Sequence, residues 1–332
     1  MGFLTRRKFL AGIGVGTAGS AALITGRGGA APQPARRDHM GNGQMVGAVG
    51  RVDHAGNGFD PTAILTDFDP GTTSRDASGR VVREYELTTI NKEIEVAPGV
   101  FFPAWTYNGR VPGPTIRATE GDRMRIKIIN ASSHPHTIHF HGFHSSGMDG
   151  VPGAGEVEPG EEFVYDFIAE PFGTHLYHCH SVPLAQHIHR GLYGAFIVDP
   201  KEGRPPANEM VLVMNGFDTN FDNENEIYAV NTVAFAYVND PIPINAGELQ
   251  RAHVINITEF DPINSIHIHA NFFNLFRTGT SLTPHEFTDT ISMGQAERHM
   301  LEFTYQEPGR FMFHAHVTEF VGLGWLSFFE VT

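Results

Sequence analysis

Four His-x-His units stand out in this chain: His139/His141, His178/His180, His267/His269 and His314/His316. Alternate residues of a β-strand point to the same face, so each unit aims two imidazoles at one spot. A helical pair would need a spacing of three or four. Eight paired imidazoles exceed what a single tetrahedral zinc takes, and imidazole suits copper, iron and nickel as well. One such pair could simply fill a polar strand face. Four in a repeated frame point to metal chemistry.

The single cysteine, Cys179, lies between His178 and His180, so its side chain faces the other side of the strand. A second metal there would be joined to the imidazole site by only the backbone of adjacent residues. A blue-copper site needs one Cys, two His and a weak or absent axial ligand. His136 lies three residues before His139, and His187 lies eight after Cys179. Leu192 falls five residues beyond His187, where an axial Met would be expected. Leu cannot coordinate, and loss of the axial donor should raise the reduction potential.

The elements that position these residues read as strands. Segments 83–90, 123–129 and 162–168 alternate polar and apolar residues between Gly, Pro and Asn turns, which is the all-β pattern. Short helices are expected near 182–190 and 317–322. The chain also repeats itself. Segment 130–141 answers 256–269, and 165–180 answers 301–316. The first His pairs are offset by 128 residues (His139 to His267) and the second by 136 (His178 to His314). Two copies of one Greek-key β-sandwich are expected, over 81–200 and 207–332, joined by a Pro-rich linker at 200–206. Residues 37–80 read as an N-terminal extension, an extended arm with at most a short strand.

Composition excludes other classes. The chain has 332 residues, 41% hydrophobic and 11% aromatic, enough for substantial cores. Its net charge of −14 and lack of a basic run argue against nucleic acid. One cysteine cannot form an intrachain disulfide. Residues 1–36 hold no acid, and Arg6-Arg7-Lys8-Phe9-Leu10 precedes a Gly/Ala-rich apolar stretch. That pattern describes a signal peptide of the twin-arginine type, so export to the periplasm or exterior is expected, with no membrane insertion after cleavage.

His136-x-x-His139-x-His141-Gly142 and His178-Cys179-His180 with His187 resemble the copper motifs of multicopper oxidases. The resemblance covers about 81–332. It implies two cupredoxin domains and four coppers per subunit, one type 1, one type 2 and two type 3. Carried over motif by motif, it implies type 1 copper at His136, Cys179 and His187, with Leu192 in the axial place. Type 2 would fall to His139 and His267, and type 3 to His141, His178, His180, His269, His314 and His316. Ala315 stands at the Cys position of the second domain and Asn264 at that of His136, so that domain should lack type 1 copper. This is similar to the two-domain, laccase-like class, whose members are head-to-tail homotrimers with the cluster between subunits. The implied reaction takes single electrons from a donor, phenolic or a metal ion, and reduces O2 to water.

Asp149, in Met148-Asp-Gly-Val-Pro152, and Glu319, three residues after His316, are candidate proton relays. Asp-Gly is equally a turn signal, and Glu319 equally a solvated charge. His144, His175 and His189 read as hydrogen-bonded or surface histidines. Two rivals stay open. Copper nitrite reductase shares the cupredoxin trimer design, but its type 2 site needs only three His. A non-enzymatic copper or electron-transfer protein would have little use for eight. The donor itself is not legible.

Overall fold

The computed structural model describes residues 50–332. The twin-arginine signal expected over 1–36 lies outside the described residues. No helix among the described residues is long and apolar enough to cross a membrane.

The alternating segments are strands. In Arg123–Asn130, Met124, Ile126 and Ile128 are buried, while Arg123, Arg125 and Lys127 stay at least partly open to solvent. The basic side chains pair across the ladder, Arg123 with Asp166 at 2.7 Å and Lys127 with Glu86 at 2.8 Å.

Each half of the chain is a sandwich of two mixed sheets. In the first, one sheet runs Thr72–Arg75, Val81–Ala97, Arg123–Asn130, Glu162–Ile168, with Val100–Tyr107 also paired to Val81–Ala97. The other runs Phe68–Asp69, Thr115–Thr119, Tyr193–Asp199, Gly173–His178, His139–Phe140. In the second, Asn208–Phe217 and Gln250–Asn256 are central to a six-stranded sheet. Its partner holds Ile242–Ile244, Leu326–Val331, Gly309–His314, Ile263–Ile268 and Thr290–Gly294. The duplication extends to strand pairing. Val81–Ala97 lies parallel to Arg123–Asn130, as Asn208–Phe217 does to Gln250–Asn256. Thr115–Thr119 lies parallel to Tyr193–Asp199, as Ile242–Ile244 does to Leu326–Val331. Strands parallel to one another in a sheet are thus separated in the chain, so connections cross between the sheets as in Greek-key sandwiches. The two expected helices are Leu184–His189 and Thr318–Gly322.

The segment read as an extended arm is more structured than that. It holds two short helices, His54–Asn57 and Pro61–Ile64, and two strands that join the first sandwich's sheets. Asp53 and Asp60 cap the helices through their carboxylates. Val52 and Leu65 sink into the second sandwich's core, which holds the arm down. Four-residue helices are too short for their apolar residues to show a period, so the sequence pattern hides them.

The sandwiches share a core as well as a linker. Leu176 and Phe102 of the first pack in one apolar cluster with Val211 and Ile255 of the second. Beside it, buried Arg251 pairs with Glu209 at 3.0 Å and Glu302 at 2.7 Å, and Arg117 of the first sandwich reaches Glu209 at 2.9 Å.

Candidate metal centres

The His136–Cys179–His187 set assembles inside the first sandwich, and all three side chains are buried. His136 sits just before the His139–Phe140 strand, Cys179 just after Gly173–His178, and His187 on the Leu184–His189 helix. Cys179 Sγ lies 3.2 Å from His187 Nδ1 and 3.7 Å from His136 Nδ1, and the two Nδ1 atoms are 3.2 Å apart. Thr137 N–H donates to Sγ at 3.3 Å. Burial, then the neighbouring His187 and His134, lowers His136 to about 3, and burial lowers His187 to about 4. Neutral imidazoles with converging nitrogens beside one sulfur fit a Cys/His2 copper site. Burial raises the Cys179 thiol, opposed by the Thr137 N–H, so a cation is what would draw the proton off. Leu192 is fully buried, and its carbonyl accepts the Cys179 N–H at 2.9 Å.

The eight remaining motif histidines form two quartets. His139 lies opposite His178 in the strand ladder, and His267 lies opposite His314. His139, His141 and His178 bring ring nitrogens within 4.8 Å of one another, as do His267, His269 and His314. The His180 ring lies 5.5 Å from that of His139, and the His316 ring 5.6 Å from that of His267. Hydrogen bonding orients the rings alike. His178 Nδ1 donates to Cys179 O at 2.9 Å and His314 Nδ1 to Ala315 O at 2.5 Å. That leaves each Nε2 a lone pair. His178 Nε2 faces His141 Nε2 at 3.2 Å, and His314 Nε2 faces His269 Nε2 at 2.9 Å. A carbonyl that fixes the tautomer of a ligating His is the usual outer partner of a metal site. Burial lowers His141 to about 2 and His178 to about 4, and it also depresses His139, His269 and His314. Within one chain the quartets stay apart: among the described residues no metal-sized group mixes the two.

Asp149 stands against the first quartet. Its carbonyl accepts from His139 Nδ1 at 2.6 Å, and its carboxylate Oδ1 lies 3.3 Å from the same atom. Gly150 makes this possible. At its φ of +69°, a Cβ would lie 2.0 Å from Ile138 O, so only glycine lets the loop press on the strand. Glu319 is exposed on Thr318–Gly322, and its carboxylate has no hydrogen bond or ion pair among the described residues.

Several residues at these centres are not evident from sequence. Asp289 mirrors Asp149: its carbonyl accepts from His267 Nδ1 at 3.0 Å, and its Oδ2 lies 3.8 Å away. The unequal loops, ten residues after His139 but 22 after His267, disguise the match. Thr137 Oγ1 accepts the His180 N–H at 2.7 Å, as Ser265 Oγ accepts that of His316 at 2.8 Å. Trp105 packs edge-on against His187 and His136, with ring centres 4.9 and 5.5 Å away.

Two family profiles described as multicopper oxidase match the chain, over residues 89–203 and 203–332. A crystal structure of a multicopper oxidase superposes with a TM-score of 0.84 at 56% identity, covering 85% of this chain and 100% of that one. A copper nitrite reductase from Nitrosomonas europaea superposes with a TM-score of 0.67 at 27% identity, over 76% of this chain and 94% of that one. A copper-containing nitrite reductase of Neisseria meningitidis serogroup A is 33% identical over 149 residues, 44% of this chain. That match spans 38% of the relative's own length.

Proposed function

Since the chain belongs to the multicopper oxidase family, we propose that it oxidises a donor one electron at a time and reduces O2 to water, as a laccase-like enzyme. The observation that carries this is the pair of four-histidine sets with matching tautomers. Three imidazoles would suffice for the single type 2 site of a nitrite reductase. Bound copper would supply one-electron chemistry at His136, Cys179 and His187, and O2 reduction at the histidine quartets.

The chain's own residues divide the remaining work. Cys179 is bonded in sequence to His178 and His180, so the backbone between them connects the two kinds of site. Asp149 is suited to hand protons toward the His139 side, and the exposed Glu319 to exchange them with water. Because the quartets stay apart within one chain, the shared cluster needs the first sandwich of one subunit and the second of the next. A heterologous contact of that kind closes into a ring when the rotation permits, and we take that ring to be a homotrimer, as in the two-domain class the motifs resemble. Export through the twin-arginine route fits a protein that leaves the cell folded.

Complementation tests the reading. His139→Ala and His267→Ala should each abolish O2 uptake. When co-expressed, they should recover part of it, because some interfaces then pair two intact quartets. Absence of recovery would place the cluster within one chain. Copper content separates the acceptors: about four per chain supports O2, and about two supports nitrite. Cys179→Ser should abolish blue absorption while both quartets still load.

A further inference from the structure

The buried type 1 ligands leave open what the donor touches. His187 is only 2% exposed, so no donor reaches it directly. Trp105 lies against both type 1 histidines and is itself stacked by a residue outside the copper frame. His134 is exposed, and its ring lies 4.5 Å from Trp105 at an interplanar angle of 32°. Arg190, which follows the helix that carries His187, also lies over Trp105. Its guanidinium carbon lies 5.6 Å from the Trp105 ring and 4.4 Å from the ring of Phe221. Phe221 belongs to the second sandwich, is 48% exposed and holds a φ of +63°. His134, Arg190 and Phe221 therefore form a row of flat groups open to solvent, and buried Trp105 (7% exposed) joins that row to the type 1 set.

Charge selects the occupant. Arg190 forms no salt bridge among the described residues; Nη1 donates to Pro103 O at 2.7 Å and Nε is buried, which leaves Nη2 to meet a ligand. The nearby Asp218 carboxylate acts on Arg190 only through space, since its oxygens accept from the N–H groups of Asp222 and Asn223 at 3.1 and 2.8 Å. A planar ring would stack on the aromatic groups, and a carboxylate on that ring would meet an otherwise unpaired guanidinium. The chain's net charge of −14 repels anions at long range, so recognition has to be local.

We propose that His134, Trp105, Arg190 and Phe221 form the donor-binding shelf and that it selects phenols carrying a ring carboxylate. This deepens the oxidase reading and rests on it. Arg190 and Phe221 act here as specificity determinants, while Trp105 joins the shelf to the copper ligands beneath.

Binding can be read without turnover. Calorimetric titration of the reduced, copper-loaded protein under nitrogen should show saturable binding of para-hydroxybenzoate. The neutral para-hydroxybenzyl alcohol should bind more weakly. Arg190→Gln should weaken the carboxylate roughly tenfold and leave the alcohol nearly unchanged, and Arg190→Lys should restore part of the loss. Phe221→Ala should weaken both. Equal affinity for the two probes, no binding of either, or no effect of Arg190→Gln with blue absorption intact would overturn the proposal. Retained binding without O2 uptake would sink the oxidase reading and leave the shelf standing. O2 uptake with para-hydroxybenzoate binding that neither variant alters would do the reverse.

Discussion

Trp325 occupies in the second sandwich the place that Leu192 holds in the first. The Cys179 N–H donates to Leu192 O at 2.9 Å, and the Ala315 N–H to Trp325 O at 3.3 Å. One turn earlier, Leu192 N–H donates to His187 O at 3.3 Å, and Trp325 N–H to Phe320 O at 2.9 Å. The set His136, Cys179, His187 and Leu192 is thereby answered by Asn264, Ala315, Phe320 and Trp325. The second sandwich fills the matching space with aromatic rings. Phe320 stacks on Tyr228 at 3.8 Å, and Trp325 packs against Phe313 at 5.8 Å.

That filling predicts a failed reconstruction. Ala315→Cys with Asn264→His supplies two missing ligands but leaves Phe320 and Trp325 in place. Copper content and blue absorption should match those of the parent. Further Phe320→His and Trp325→Leu changes should be needed before a second blue band appears. Trp325→Leu alone should cost about 2–4 kcal/mol in urea unfolding, as a large core side chain is cut back. A second blue band in the double variant would show that the rings are no barrier.

The paired acids predict a shared phenotype. Asp149 and Asp289 each hold a quartet histidine by the carbonyl and set a carboxylate beside the same Nδ1. Asp149→Asn and Asp289→Asn keep the carbonyl contacts and remove only the charge. Each should leave copper content and blue absorption intact while slowing reoxidation of the reduced enzyme by O2 about 10- to 100-fold. Stopped-flow recovery of the blue band measures this. A full-speed Asp289→Asn would mean that only the first quartet needs its acid.

Much of the site was legible because strand periodicity converts His-x-His directly into geometry. Cys179 facing away from His178 and His180 follows from the same alternation. The sequence also marks Ala315 and Asn264 as the counterparts of Cys179 and His136, since each keeps its offset from a motif histidine. Trp325, Asp289 and the Arg190 shelf were not legible. Each depends on a loop or helix whose length differs between the halves, or on two segments far apart in the chain. The arm over 50–75 escaped for a related reason: its helices are single turns, and its strands are short edge pieces fixed by tertiary contact.

The network between the sandwiches predicts a stability defect remote from copper. Arg251 is 3% exposed at its side chain and lies between Glu209 and Glu302. Arg251→Met would leave two mostly buried carboxylates without it, although Glu209 keeps Arg117 and His253. Removing one partner of a buried pair typically costs about 3–5 kcal/mol. Urea unfolding of the copper-free protein should show a loss of that order with the slope unchanged. A loss below about 1 kcal/mol would mean that water or rearrangement already screens the carboxylates.

Two buried histidines outside the copper frame predict how acid acts on the copper-free fold. Burial, reinforced by the charge of Arg298 and opposed by a hydrogen bond to Pro171 O, holds His175 at about 4. Burial likewise holds His299 at about 4. One ring nitrogen of each, His175 Nδ1 and His299 Nε2, is buried without a partner, so a charged ring has little to solvate it. In the unfolded chain both titrate near 6.5. Between about 6.5 and 4 the unfolded chain therefore binds more protons than the folded one, and stability falls as pH falls. The contribution is fully present above about 6.5 and is lost by about 4, up to about 3 kcal/mol for each residue. Urea unfolding across that window measures the slope. Replacing both with Phe should flatten it by about two protons, while the ligand histidines, present in parent and variant alike, cancel in the difference. An unchanged slope would mean that these rings take up protons in the folded state as readily as in the unfolded chain.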